Sequence, residues 1–318
     1  MRRLNVAVIG VGFWGRNHVR VLREIDRANL VAVCDIDGER ARAVADRYGL
    51  EAYTDSGELL RREDVEAVTI CTWPAALGPE AEKALRAGKH VLVEKPMARD
   101  AREARGLVEL AEREDLILAV GFVERFNPGL RRVLRMTEEG RLGEVLSVQA
   151  RRLSRRPRRP KDVGVVKDLA IHDVDIMVAL YGEGPELVHA RVRYSEDMVD
   201  EYALATMFFP GGGIGVVEAS WLTAPKVREL VVSGTEGVLK LGYLSQEIEF
   251  SSGGEVLKIR DRWEEPLKIE LEHFVDCVLS GREPLVSGRD GLRALSICEA
   301  ILRSSVEGRP IRVGREGA

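Results

Sequence analysis

Cysteine is scarce and scattered in this chain. The four cysteines, Cys34, Cys71, Cys277 and Cys298, form no CxxC pair and have no histidine cluster beside them, which argues against a zinc site. Cys34 and Cys71 close apolar runs and read as small, reduced, buried residues. A long hydrophobic run is missing as well, so nothing predicts a membrane span. The start, Met1 to Val6, enters a strand pattern at once and carries no signal-peptide core, so the cytoplasm is the expected location. Positive charge is not in excess: the net charge is -4, and nucleic acid is not an expected partner. Asparagine and glutamine are rare while arginine far outnumbers lysine, a bias that a hot habitat or a GC-rich genome would produce.

What is present fits a globular enzyme. The chain has 318 residues, enough for two cores, with 45% hydrophobic and 31% charged residues. Its first 120 residues alternate strand and helix patterns. Strands are expected at Leu4–Ile9, Leu30–Cys34, near Ala52-Tyr53, and at Ala67–Cys71, Val91–Val93 and Ile117–Val120. Helices are expected at Phe13–Asp26, Glu39–Tyr48, Gly78–Ala87 and Ala101–Arg113. This βαβα rhythm predicts a parallel sheet covered on both faces, a Rossmann dinucleotide-binding domain over residues 1–121. Beyond it the pattern changes. A helix over Pro128–Glu139, a strand over Val145–Arg152 and a helix over Asp168–Leu180 precede extended runs from Leu187 to Ile259, and helices near Ile269–Leu279 and Gly288–Ser305 close the chain. The expectation for 122–318 is an α+β domain with a large open, mostly antiparallel sheet, one face of which needs helices or another subunit to cover it.

Gly10-Val11-Gly12-Phe13-Trp14-Gly15 follows the first strand and opens a helix, a context in which glycines let backbone approach a pyrophosphate and the helix N-terminus attracts it. Asp35, with Ile36 after it, ends the second strand, where a carboxylate accepts hydrogen bonds from ribose hydroxyls and repels a 2′-phosphate. NAD is therefore favoured over NADP; Arg40 would soften that preference and Asp37 reinforce it. A methyltransferase also uses a glycine turn and an acid after its second strand, but has no need of Glu94-Lys95-Pro96 at the end of the fifth. A lysine there stands at the mouth of the nucleotide crevice. The plain alternative is a solvated lysine before a turn proline. Asp168, His172 and Asp175 have i, i+4, i+7 spacing, which puts them on one helical face. The competing view makes Asp168 an N-cap and His172 a core imidazole.

Together, the glycine turn, the Glu94-Lys95-Pro96 string and the Asp168/His172/Asp175 spacing resemble the Gfo/Idh/MocA oxidoreductases over the whole chain. The resemblance implies a nicotinamide-dependent sugar dehydrogenase. In it Lys95 is catalytic, Asp168 and His172 bracket the reacting hydroxyl, the Lys95–Pro96 bond is cis and aims the ammonium into the cleft, and Glu94, Thr72 and Trp73 line the cofactor site. No metal is needed. Lys95 or His172 takes the hydroxyl proton, and histidine's ordinary range suits that task. The sequence departs from the family after the fourth strand: Cys71-Thr72-Trp73-Pro74 stands where Thr-Pro is usual, and Leu77 takes a histidine's place.

The basic stretch Arg151 to Lys161 precedes the His172 helix, and arginine forks match phosphate oxygens. Its surroundings, with Gly121–Pro128 and Glu218–Thr223, are similar to the UDP-N-acetylglucosamine 3-dehydrogenase branch of the family. Arg125, Asn127, Arg152, Arg155, Lys167 and His172 are then candidate substrate ligands, although Asn127 equally suits the cap of the next helix. Dehydrogenation of a free polyol or monosaccharide is the alternative, a non-enzymatic NAD sensor a more distant one. The open sheet and the resemblance imply a homodimer or homotetramer.

Overall fold

A computed structural model describes residues 2–156 and 162–314. In the first part of the chain, β1 (Leu4–Ile9), α1 (Phe13–Glu24), β2 (Ala28–Cys34), α2 (Gly38–Tyr48), β3 (Glu51–Tyr53), α3 (Ser56–Leu60), β4 (Ala67–Ile70), α4 (Pro74–Arg86), β5 (His90–Glu94), α5 (Ala101–Arg113) and β6 (Leu118–Gly121) alternate without interruption. All six strands pair in parallel in the order β3-β2-β1-β4-β5-β6. That order reverses between β1 and β4, where open α/β sheets place their ligand crevice. Strands buried on both faces need near-continuous apolar runs, and β4 and β6 have no exposed residue at all. The short α3 escaped the sequence reading. It is made by Asp55, whose carboxylate caps the amides of Gly57 and Glu58, rather than by an apolar period.

The later elements are α6 (Pro128–Glu138), β7 (Val145–Arg155), α7 (Ile171–Tyr181), β8 (Leu187–Tyr194), β9 (Asp200–Phe208), β10 (Ile214–Ser220), β11 (Leu222–Gly234), β12 (Val238–Gly242), β13 (Glu247–Ser252), β14 (Glu255–Ile259), α8 (Pro266–Ser280), α9 (Gly288–Glu307) and β15 (Ile311–Arg312). Nine strands form a second sheet, β14-β13-β12-β11-β7-β10-β9-β8-β15, antiparallel except for the β7–β10 pair. Helices α6 and α7 pack on one face. On the other face Leu204, Phe208 and Ile214 are exposed, with Phe208 directly opposite Ile214.

The chain forms two compact units, one of residues 1–123 with 267–292, the other of 124–266 with 293–318. A single cut at 121/122 therefore misses the return of α8 to the first unit. Leu271, Phe274 and Val275 of α8 share a core with Leu4, Val6 and Val8 of β1 and with Val19 and Leu22 of α1. An apolar helix face shows that it needs a partner and not which partner. The strand expected to end at Arg152 runs further into the basic segment: Arg151 to Arg155 belong to β7, and Arg156 follows it, while 157–161 lie outside the described residues. Among the described residues no helix is long and apolar enough to cross a membrane.

Candidate active site

In the first unit the glycine turn is a steric necessity. Gly10 has φ +86°, and a Cβ there would stand 2.7 Å from the Cys71 carbonyl carbon and the Thr72 amide. A Cβ on Gly15 would lie 1.8 Å from the Gly10 carbonyl oxygen, so α1 packs backbone against backbone at its first turn. Gly12 differs, since a Cβ there would meet nothing within 4 Å. It is the N-cap of α1 and offers no side chain to the helix's first amides. Open space beside uncapped N–H groups is the cradle that a pyrophosphate fits.

Asp35 is almost buried at the end of β2. It accepts the Val11 amide at 2.9 Å and the Asp37 amide at 3.0 Å, which ties the glycine turn to the second strand. Arg40 Nη1 lies 3.1 Å from its Oδ1, and Arg40 also pairs with Asp37 at 2.9 Å. The three residues weighed for cofactor preference thus form one cluster. Around this edge of the sheet Phe13 is 88% exposed, Ile36 71% and Trp73 46%, apolar surface that a nucleotide would cover. Thr72 lies beside Gly10, and Trp73 precedes Pro74 at the first turn of α4. Leu77 is buried in the core.

The end of β5 is tied to the same turn. Trp14 Nε1 donates to Glu94 Oε1 at 2.6 Å, His18 Nε2 lies 3.2 Å from that oxygen, and the Lys95 amide donates to Glu94 Oε2 at 3.3 Å. Glu94 fits because position 121 is glycine, where a Cβ would come within 2.7 Å of Oε1. The Lys95–Pro96 bond is cis, as the resemblance implies, and Lys95 is half-buried. Trp14 turns to Glu94 through its indole N–H. His18 was not singled out from the sequence, although a histidine one turn after Trp14 on the apolar face of α1 was the available signal.

In the second unit, Asp168 lies in a π-helical turn, Val166–Ala170, that leads into α7. It is not an N-cap: its amide donates to the Gly164 carbonyl, and the Val166 amide is taken by Asp200 at 2.7 Å. Irregular helical turns of this kind occur often at functional sites. Asp168, His172, Asp173 and Asp175 are all buried.

Four of the expected substrate ligands, Arg125, Asn127, Arg152 and Lys167, have partners within the same unit. Arg152, 3% exposed, clasps Asp173 through Nε at 2.8 and 2.9 Å and donates from Nη1 to Glu124 at 2.9 Å. Its guanidinium lies 4.5 Å from the centroid of the Tyr243 ring. Asn127 caps α6 through the Gly129 amide and donates to Glu124 at 3.1 Å and to the Tyr243 carbonyl at 3.0 Å. One network therefore joins β7, α6 and the segment after β12 to the residue beside His172. Burial pushes Asp173 up to about 6, while Arg152 pulls the other way. Arg152 itself is raised, since Asp173 and Glu124 outweigh the burial that opposes its charge. A guanidinium that never deprotonates keeps the pair ionic at neutral pH.

Arg125 pairs with Asp175 at 3.2 Å, and Lys167 lies 3.5 Å from Glu299. Arg151 pairs with Glu218 at 2.7 Å, and Arg156 with Glu201 at 2.7 Å over the Trp221 ring. Arg155 is exposed. The positive charge of the described basic segment is mostly met by acids of the same unit. No group of three His, Cys, Asp or Glu residues placed to hold a metal occurs among the described residues.

Comparison with known proteins identifies the family of both parts of the chain. The family model for the oxidoreductase family with an NAD-binding Rossmann fold, GFO/IDH/MocA, matches residues 4–122, and the model for that family's C-terminal domain matches residues 130–240. The chain is 30% identical to D-apiose dehydrogenase of Paraburkholderia graminis, over 98% of this chain and 90% of that protein. It is 29% identical to inositol 2-dehydrogenase of Rhizobium meliloti, over 96% of this chain and 98% of that one. The solved structure of UDP-N-acetylglucosamine 3-dehydrogenase from Acidithiobacillus ferrooxidans superposes with a TM-score of 0.87 at 27% identity, covering 96% of this chain and 98% of that chain.

Proposed function

The chain belongs to the Gfo/Idh/MocA oxidoreductase family, with an NAD-binding Rossmann domain, and we propose that it oxidises a ring CH–OH of a sugar or cyclic polyol. The observation that carries this reading is the link between the glycine turn and Lys95. Trp14 of that turn anchors Glu94, and Glu94 accepts the Lys95 amide, so the candidate base and the cofactor turn share the carboxyl end of the parallel sheet. NAD, when bound, supplies the hydride acceptor. The chain supplies the rest. Gly12 and the α1 amides receive the pyrophosphate, Asp35 the ribose hydroxyls, and Phe13, Ile36 and Trp73 lose exposed apolar surface. The proton leaving the hydroxyl passes to Lys95 or to His172, with Asp168 orienting the hydroxyl or the imidazole.

A nucleotide sugar is the second reading. Exposed Arg155, together with the likeness to the UDP-N-acetylglucosamine enzyme, favours it. The acid partners of Arg151, Arg152 and Arg156 weaken it, since those guanidinium groups are already paired. Association of two or more copies through the outer face of the nine-stranded sheet belongs to the same proposal and rests on exposed Leu204, Phe208 and Ile214.

The test is NADH formation from NAD+ with myo-inositol, glucose, N-acetylglucosamine and UDP-N-acetylglucosamine, for wild type and Lys95→Ala. Signal that depends on Lys95 with a free polyol or sugar supports the first reading. Signal with the UDP-sugar alone selects the second. Turnover that survives Lys95→Ala unchanged sinks the assignment of the base.

A further inference from the structure

Glu270 of α8 is 1% exposed, and among the described residues neither of its carboxyl oxygens has a hydrogen-bond partner. Leu267, Leu271 and Phe274, its neighbours on the helix, share a core with Cys71, which follows β4, and with Leu92 of β5. Leu92 and Glu94 stand two positions apart on β5 and so point to the same face of the sheet, which directs the α8 face carrying Glu270 toward Glu94. Burial without a donor disfavours the charged form of Glu270, and a carboxylate near it disfavours that form further.

Which one holds the proton follows from their partners. Glu94 accepts from the Trp14 indole N–H and the Lys95 amide, and such donors favour the carboxylate form; the His18 ring nitrogen lies 3.2 Å away. Glu270 has no donor to favour its charge. We propose that Glu94 and Glu270 form a two-carboxyl unit carrying one proton, held on Glu270, and that Glu270 thereby acts as a positioning residue that limits the charge beside Lys95 to a single carboxylate.

The groups that face this unit agree with that count. Cys71, at the end of β4, is driven up by burial first and by Glu94 and Glu270 next, so it stays a neutral thiol and brings no compensating charge. His18 on α1 spends Nε2 on Glu94. Glu270 is itself pushed well above the ordinary carboxylate range, by burial first and by Glu94 second. The link to catalysis rests on the role proposed for Lys95, whereas the proton count does not, and the two can fail separately.

Stability against pH supplies the readout that needs no substrate. An unfolded glutamate ionises near about pH 4.3. Above that pH the folded chain holds a proton on Glu270 that the unfolded chain has released, so stability falls as pH rises, until the folded group ionises too. Glu270→Gln removes this contribution without changing side-chain shape. Wild type should lose thermal stability more steeply than Glu270→Gln from about pH 5 upward. Infrared difference spectra at neutral pH should show a protonated carboxylic acid C=O stretch that Glu270→Gln abolishes. In Glu94→Gln that stretch should persist at neutral pH and, if titrated, disappear at lower pH than in wild type, because the repelling charge is gone. If turnover is found, Glu94→Gln should shift the acid limb of kcat/KM to lower pH and Glu270→Gln should leave it in place. Parallel stability curves, or an acid stretch unchanged in Glu270→Gln, would overturn the one-proton unit. An acid limb moved equally by both variants would mean that Glu270 carries charge, and would overturn it as well.

Discussion

Two glycines three residues apart in the chain's first turn, Gly12 and Gly15, respond to opposite tests. Gly15→Ala puts a methyl group 1.8 Å from a backbone oxygen that cannot yield, so the variant should lose the turn and melt well below wild type. Gly12→Ala meets nothing within 4 Å and should melt like wild type. Its methyl group instead intrudes where we propose that the pyrophosphate lies. NAD affinity should fall at least about tenfold, the ratio that roughly 1.4 kcal/mol produces. Calorimetric titration with NAD+ beside a thermal melt separates the two effects, and full NAD affinity in Gly12→Ala would move the cofactor away from this turn. The glycines, Asp35 and Lys95 were legible in the sequence because each follows a buried strand at a fixed offset. His18 and Glu270 were not, because a polar residue inside an apolar helical face looks the same whether or not another element brings it a partner.

At the level of the element, the interest lies in what holds α7. Asp173 sits one residue after His172 and is clasped by Arg152 from β7, with Glu124 and Tyr243 closing around the guanidinium. Removing one partner of a buried ion pair leaves the other charge uncompensated and costs about 3–5 kcal/mol. Arg152→Met should therefore destabilise by roughly that amount in urea unfolding. Were Arg152 instead a substrate ligand, the variant would melt normally and raise KM. Asn127→Ala should cost about 1 kcal/mol or somewhat more, for it removes the cap of α6 and a donor to Glu124 together. From the sequence, Arg151 to Lys161 read as one basic run. Its first members alternate between the two faces of β7, and that alternation sends Arg152 inward to Asp173 and Arg151 outward to Glu218. Runs of like charge show only that partners are required, and strand pairing decides which acids provide them.

On the scale of the whole molecule, the outer face of the nine-stranded sheet sets the association expected. Leu204 and Phe208 on β9 and Ile214 on β10 are exposed on strands whose other side packs against helices. Light scattering at micromolar concentration should report a dimer or larger, and Phe208→Glu should shift it toward monomer while the thermal melt of the fold is kept. A wild-type monomer at those concentrations would remove the sheet from the proposal. The sequence alone determined the parallel first sheet, the NAD-type turn with its acid, and the location of Lys95, because strand burial and glycine sterics act over a few adjacent residues. Only the tertiary structure decided that α8 returns to the first unit, that Arg152 and Asn127 serve the network beside His172, and that Glu270 stands within reach of Glu94. These are pairings between residues that lie tens to hundreds of positions apart, and a local pattern states that a side chain needs a partner without naming it.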